Sequence, residues 1–216
     1  GDVAIAAASA APIRVARSGT LRVTGGGAPA ALHNHGGAGR LDVEGALEVL
    51  TGSTDLAGDG AVLLDVDLFV RAGATLNVGG TGAAPTPSAL RLRQAAVLDG
   101  AVSLGDGSVV ELADGVHVVA AESFVSEGGL VRVLAANVTV NRPLELRAAG
   151  GSAVDTGVHD ETRGWRIESG GTVYLRASPA VAGDCAVTNL VAAPFVVAAG
   201  GELVVLDGPT ADATDD

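Results

Sequence analysis

The 216-residue sequence has no lysine, no methionine and one cysteine, and aromatic residues make up only 2% of it. The single cysteine, Cys185, excludes an internal disulfide framework and a zinc site built on cysteines. A lone cysteine of this kind is expected to be a buried, small apolar side chain. One Trp, one Tyr and three Phe are few for a sugar-binding cleft, because ligand clefts are lined largely by apolar and aromatic side chains.

Basic residues are also scarce. The chain has 13 arginines against 25 acidic residues, a net charge of -12 and a pI near 4.6. A surface this acidic repels phosphate backbones, so binding to nucleic acid is disfavoured. No apolar run approaches the roughly 18 residues that a membrane-spanning helix needs. The 32 glycines argue against long helices and leave an all-β fold as the expectation.

An apolar-x-apolar triplet occurs five times at a nearly constant interval along the sequence. This alternation is typical of β-strands, because successive side chains of a strand point to opposite faces. A return at a nearly fixed period is typical of a solenoid, in which each strand stacks on the strand one coil below. The five triplets are Leu47-Glu48-Val49, Leu68-Phe69-Val70, Leu90-Arg91-Leu92, Val110-Glu111-Leu112 and Val131-Arg132-Val133.

Asp-Gly dipeptides mark the predicted corners between strands. Glycine accepts a positive φ without steric cost, and aspartate bonds the backbone two residues on. Three of the dipeptides follow one another at short, even intervals, which fits successive corners of one coil. Asp-Gly also marks antiparallel hairpins, so an antiparallel β-sandwich or roll is the alternative fold. The dipeptides are Asp59-Gly60, Asp99-Gly100, Asp106-Gly107, Asp114-Gly115 and Asp207-Gly208, of which the middle three are the closely spaced ones.

With strands at this period, residues 18 to 206 resemble the right-handed parallel β-helices of the pectin-lyase-like and autotransporter-passenger kind. The resemblance is one of architecture, since no family-specific motif accompanies it. It implies a secreted or surface-exposed protein that serves as an adhesin, spike or stalk, or one that cleaves polysaccharides. Parallel crossovers are almost always right-handed, so right-handed coils of about 20 to 22 residues are expected.

The pattern divides the chain into three parts. Residues 1–17 are predicted to be an N-terminal cap or lead-in strand, residues 18–208 the β-solenoid, and residues 209–216 a polar tail or linker. Within the solenoid, residues 148–163 are predicted to form a loop outside the coil.

The middle residues of the triplets predict an outward-facing row. If the strands stack in register, Arg91, Glu111 and Arg132 lie one above another with alternating charge, and Glu48 and Phe69 belong to the same row. Opposite charges on adjacent strands stabilise a sheet by about 0.2–1 kcal/mol per pair. Glu145 and Arg166, which are separated by the same interval as the triplets, are predicted to form a second such pair one column away.

Two groups of residues are candidates for metal binding. Asp65 and Asp67 alternate in sequence, so on one strand they would share a face and offer oxygen ligands to Ca²⁺. His33 and His35 have the same spacing, but a third ligand is needed and none lies near in sequence. Outward acidic residues and a polar loop are the alternatives, and the expectation is that no cofactor is required.

Catalytic residues would first be sought at His159, Asp160 and Glu161, which bring acid and base groups together in the predicted loop. Solvated loop charge is the alternative interpretation. No Gly-x-Ser-x-Gly motif is present. Asn137-Val138-Thr139 matches the acceptor pattern for N-glycosylation at Asn137, which matters only in a eukaryotic secretory route.

The absence of a catalytic motif favours a non-catalytic structural or adhesive segment of an extracellular or cell-surface protein. The alternative is a carbohydrate-active β-helix enzyme or spike, a polysaccharide lyase or hydrolase. The apolar strand Leu203-Val204-Val205-Leu206 would leave an open sheet edge. We therefore expect self-association in a filament or stalk, or covalent neighbouring domains of a longer chain, with a cell-surface or carbohydrate partner and no membrane insertion. The alternative is a monomer in which the first 16 residues and the acidic tail cap the sheet edges.

Overall fold

A computed structural model describes residues 3–5, 12–24, 30–34, 39–52, 61–80, 86–120, 124–140, 144–147, 164–176, 187–189 and 195–206. These residues form 23 β-strands, and no helix occurs among them. The prediction that the short alternating runs form β-strands is therefore confirmed, and the fold of this part of the chain is all-β.

The strands form three sheets, and each sheet takes every third strand of the chain. Sheet A contains β1 (Val3–Ile5), β4 (Ala30–Asn34), β7 (Ala61–Asp65), β10 (Ala89–Leu92), β13 (Val109–Ala113), β16 (Leu130–Leu134), β19 (Gly164–Ile167) and β22 (Phe195–Val197). Sheet B contains β2 (Ile13–Val15), β5 (Arg40–Val43), β8 (Asp67–Val70), β11 (Ala96–Leu98), β14 (Val116–Val119), β17 (Asn137–Val140), β20 (Thr172–Arg176) and β23 (Glu202–Leu206). Sheet C contains β3 (Thr20–Thr24), β6 (Ala46–Leu50), β9 (Thr75–Val78), β12 (Ala101–Leu104), β15 (Phe124–Glu127), β18 (Leu144–Arg147) and β21 (Val187–Asn189).

Neighbouring strands within each sheet run parallel. The pairing of β10 with β13 shows the pattern, since Ala89 faces Val109 and every residue up to Leu92 keeps the same offset. The same parallel pairing joins the other described neighbours, as in sheets B and C. An antiparallel sandwich or roll is therefore wrong for this part of the chain, and the arrangement is consistent with a parallel β-helix.

The expectation of a constant coil length holds only in the middle of the molecule. There Leu90 pairs with Val110 and Val110 with Val131, so the two successive coils have nearly the same length. Earlier in the chain Val62 pairs with Leu90, and later Val131 pairs with Trp165, and both of these coils are longer than the central ones. The period changes because additional residues enter between strands outside the central coils.

The five triplets consequently do not form one column. The triplet that begins at Leu47 lies in β6 of sheet C, and the triplet at Leu68 lies in β8 of sheet B. Only the last three, in β10, β13 and β16, share sheet A. Where a coil is longer than the interval between triplets, the next triplet lies in a strand of a different sheet. The sequence does not show which sheet a triplet belongs to, because strands of all three sheets have the same alternation.

The interior is a stack of aliphatic rows contributed by all three sheets. Leu41, Leu68 and Ala96 follow one another in sheet B and are fully buried. In sheet A the corresponding row ends in aromatic side chains, where Trp165 stacks on Phe195 with ring centroids 5.9 Å apart. Because inward side chains stack on the same position one coil away, small and medium aliphatic residues fill most of the core.

The corners predicted from Asp-Gly are confirmed at the three dipeptides that the structure describes. They separate β11 from β12, β12 from β13, and β13 from β14. Gly107 has a φ of 68°, and Asp114 adopts a φ of 50°. Glycine is required at position 100 for a different reason, since a Cβ there would lie 2.3 Å from the carbonyl oxygen of Ala74. The dipeptides at 59 and 207 lie outside the described residues.

Candidate functional site

A row of alternating charges runs along the outer face of sheet A. Arg91 pairs in register with Glu111, and Glu111 pairs with Arg132. The Nε of Arg91 lies 2.5 Å from Oε1 of Glu111, and an Nη of Arg132 lies 3.4 Å from Oε2. The predicted stacking of these three side chains is confirmed, since strands at a true coil step bring outward residues together.

Two further charged residues, which the sequence analysis did not predict for this row, extend it beyond Arg132. Arg132 pairs in register with Arg166, two like charges on adjacent strands. Glu168 compensates for this, because its Oε1 accepts hydrogen bonds from Arg132 at 3.2 Å and from Arg166 at 2.9 Å. We call Arg91, Glu111, Arg132, Glu168 and Arg166 the sheet A ladder. It carries three positive and two negative charges on a strongly acidic chain.

The predicted second pair, Glu145 with Arg166, is wrong, and so is the placement of Glu48 and Phe69 in this row. Glu145 faces Val125 in sheet C, whereas Arg166 belongs to sheet A, so the two residues are not neighbours. Glu48 pairs with Arg22 and Asn77 in sheet C, and Phe69 lies in sheet B. Their regular spacing in sequence connects different sheets, for the reason given above for the triplets.

Glu111 is buried although it lies on the outer face, with 1% of its surface exposed. Its contacts with Arg91 and Arg132 are ion pairs, and neither carboxylate oxygen makes an aligned hydrogen bond to a described residue. A carboxylate held between two guanidinium groups keeps the two arginine side chains in place. A general acid or base instead needs an oxygen that reaches the reacting proton.

A second charged cluster lies on the outer face of sheet B. Asp42 is buried and accepts two hydrogen bonds from Arg71, at 2.7 and 3.0 Å, and one from Arg40 at 2.9 Å. The guanidinium groups of Arg40 and Arg71 also lie 4.0 and 5.3 Å from the centroid of the Phe69 ring. The hydrogen bonds from Arg71 lower the pKa of Asp42 against the opposing effect of burial. The same bonds raise the pKa of Arg71.

The metal candidates are only partly brought together. β7 ends at Asp65 and β8 begins at Asp67, so these carboxylates belong to different sheets and the shared strand face is wrong. Backbone register places His33 opposite Asp65, and His35 lies outside the described residues. Among the described residues, no three His, Cys, Asp or Glu side chains form a group that could hold a metal ion. Ca²⁺ binding stays a prediction.

The other candidates are not tested. His159, Asp160, Glu161 and Cys185 lie outside the described residues. Asn137 begins β17 and is exposed, so an enzyme could reach it, and its glycosylation stays a prediction. In the part of the chain that the structure describes, no helix is long and apolar enough to cross a membrane.

His117 is a buried ionisable residue on the inward side of sheet B. It stands between two valines in sequence, yet Val116 is 59% exposed and His117 is 1% exposed. His117 lies in the inward row between Ala96 and Val138. Neither ring nitrogen makes a well-aligned hydrogen bond to a described residue. Burial lowers the pKa of His117, with a smaller opposing effect from the backbone of Ala113.

The last described coil exposes the residues that the other coils bury. Val197 is 46% exposed, Leu203 is 37% exposed and Val205 is 71% exposed. Their partners one coil earlier are Ile167, Val173 and Leu175, which are all buried. We call Val197, Leu203 and Val205 the open coil. It presents an apolar surface, and among the described strands its edges are paired on one side only.

Comparison with known proteins yields no match for this chain. No protein-family model and no curated protein matches the sequence, and no solved structure matches it either.

Proposed function

We propose that this chain is a non-catalytic structural or adhesive segment of an extracellular or cell-surface protein. Its three sheets would form a right-handed parallel β-helix, the handedness that parallel crossovers take in about 98% of cases. Sheets A and B are eight strands deep. At about 4.8 Å per strand, seven steps make a rod roughly 34 Å long. A rod of stacked coils can serve as a spacer, because each added coil makes the rod longer without making its core wider.

The open coil is the observation that carries this proposal. An unprotected sheet edge is a template for pairing with another strand. Here the edge coincides with three exposed apolar side chains that continue buried rows. A further layer of strands would bury them and satisfy the free backbone groups. That layer would come from another copy in a filament or from a neighbouring domain of a longer chain.

Sedimentation velocity of the full chain at rising concentration tests this proposal. The chain should self-associate, and more so at high salt, because salt screens its charge of -12. Val205→Glu should weaken the association, since it places a charge on the open coil. Val125→Glu is the matched control, an outward valine in β15 of sheet C. A chain that stays monomeric at both salt concentrations would contradict the self-association.

The second candidate is a carbohydrate-active enzyme or spike, and the sheet A ladder is the observation that favours it. Arginines and glutamates in a line along one flank could face an extended acidic polymer. Both carboxylates are already engaged by arginines, which favours binding over bond cleavage. Incubation with acidic and neutral polysaccharides, followed by measurement of chain length, tests for cleavage. Cleavage that Glu111→Gln abolishes would establish the enzyme and displace the structural proposal.

A further inference from the structure

The outer face of sheet B differs from the outer faces of the other sheets. Its middle row is uncharged over six successive strands, whereas the corresponding row of sheet A contains Arg91, Glu111, Arg132 and Arg166. The row of sheet C contains Arg22, Glu48 and Glu145. The row of sheet B is charged only at its first two positions, Arg14 and Asp42. We call the uncharged row the sheet B strip: Phe69, Val97, Val118, Thr139, Tyr174 and Val204.

The strip is open on its outer side. All six of its side chains are partly exposed, and Val116, which lies beside it at the start of β14, is 59% exposed. High β-propensity explains a preference for valine and tyrosine in any strand. β-Propensity does not explain why the outer face of sheet B has an uncharged row while the outer face of sheet A, in the same coils, has a row of ion pairs.

Charged residues border the strip at one end in a pattern that is self-complementary. The residues two before and two after Asp42 are Arg40, which begins β5, and Glu44, which follows its end, positive then negative. The residues two before and two after Phe69 are Asp67, which begins β8, and Arg71, which follows its end, negative then positive. At both strands, opposite charges therefore flank the middle row.

We propose that the sheet B strip is the contact surface between two copies of this chain, which lie side by side and point in the same direction. The two-fold axis of this dimer would run along the stack of strands. Such an isologous contact places each strand opposite the same strand of its partner, with its direction reversed. Asp67 then faces the partner's Arg71, and Arg40 faces the partner's Glu44. Each of these pairs occurs twice. In this contact Arg40 and Arg71 are shared between Asp42 of their own chain and a carboxylate of the partner.

The opposite orientation is less favourable. If the partner's stack were reversed and the strip centred, β8 would face β23, and Asp67 would lie opposite the partner's Glu202. Those charges repel, and like charges in a contact suppress the wrong pairing. The charge pattern therefore selects the arrangement in which the two copies run in the same direction.

The size of the strip sets the expected strength of the contact. Six strands at about 4.8 Å and five residues at about 3.3 Å cover roughly 25 by 13 Å, or about 300 Å² per copy. Stable complexes bury about 800 Å² per partner. The dimer is therefore expected to be weak and to form only as the concentration rises.

Sedimentation velocity with three variants of the full chain tests the contact. Val118→Glu, in the centre of the strip, should shift the chain toward monomer and raise the dissociation constant at least tenfold. Val125→Glu, on the outer face of sheet C, should leave association unchanged. Val205→Glu should remove end-to-end association and keep the side-by-side dimer, which separates the two kinds of contact. Equal effects of Val118→Glu and Val125→Glu, or no dimer in the Val205→Glu variant at any concentration, would overturn the proposal.

Cysteine cross-linking tests the orientation in a Cys185→Ser background. When the two copies run in the same direction, Val118 faces the partner's Val118, so Val118→Cys should form a disulfide-linked dimer on oxidation. In the reversed arrangement, Val118 would face the partner's Thr139. Faster cross-linking in a mixture of Val118→Cys and Thr139→Cys chains than in Val118→Cys alone would contradict the proposed direction.

Discussion

At the scale of single residues, His117 stands out as an ionisable side chain in an apolar row. It lies beside Ala96, whose small side chain leaves volume for the imidazole ring, and beside Val138. Burial disfavours the charged form of a histidine and lowers its pKa. The folded chain therefore holds His117 neutral at a pH where the unfolded chain begins to bind a proton.

The pH dependence of stability follows from that difference. Above the unfolded pKa of about 6.5 both states are neutral at His117, and no stability is lost. As the pH falls below this value, the unfolded state takes up more protons, so the free energy of unfolding decreases by at most about 1.4 kcal/mol per pH unit. Urea unfolding of the wild type and His117→Leu between neutral and mildly acidic pH measures the effect. If the free energy of unfolding fell with the same slope against pH in both chains, the role of His117 would be contradicted.

Asp42 contributes stability with the opposite pH dependence. Its pKa is lowered by Arg71, so its contribution is present above the unfolded value near 3.8 and is lost as the pH falls through the folded value. Asp42→Asn should cost about 1.5–3 kcal/mol at neutral pH, the range for hydrogen bonds to a charged group. Glu48→Gln, which breaks an exposed pair with Arg22, should cost less than about 1 kcal/mol. Equal losses in chemical denaturation would contradict the role of burial.

At the scale of elements, the two glycines of similar Asp-Gly corners should respond differently to alanine. A Cβ on Gly100 would lie 2.3 Å from a backbone oxygen, while a Cβ on Gly115 has nothing nearer than 3.5 Å. Gly100→Ala should therefore lower the free energy of unfolding by about 1–3 kcal/mol. Gly115→Ala should be neutral or slightly stabilising. Thermal unfolding checks both, and two equal losses would show that the close approach at Gly100 is not the cause.

The sequence predicts the strands and corners of the central coils because no insertions interrupt them. The ladder of Arg91, Glu111 and Arg132 follows from that regular register. The sheet to which Glu48 or Phe69 belongs could not be predicted, since strands of all three sheets have the same alternation. The burial of Glu111 and the inward position of His117 depend on neighbours one coil away. Those neighbours are known only when the coil length is known.

At the scale of the whole molecule, the described strands present two different outer faces and one apolar end. Sheet A carries the ion-pair ladder, sheet B the uncharged strip, and the last described coil an apolar end. Both proposed contacts with other copies depend on the same claim, that every third strand stacks in parallel register. If that register is wrong, neither the strip nor the open coil exists as a surface.

A pair of engineered cysteines measures this register directly. In a Cys185→Ser background, Ser103→Cys and Val125→Cys lie directly opposite each other on β12 and β15, although a full coil of the chain separates them in sequence. Adjacent strands lie about 4.8 Å apart, within the range that a disulfide bridges. Val97→Cys with Ser103→Cys is the control pair, much closer in sequence but on the outer faces of different sheets. We expect the distant pair to oxidise to an intrachain disulfide and the near pair to stay reduced. Oxidation of the near pair alone would contradict this register.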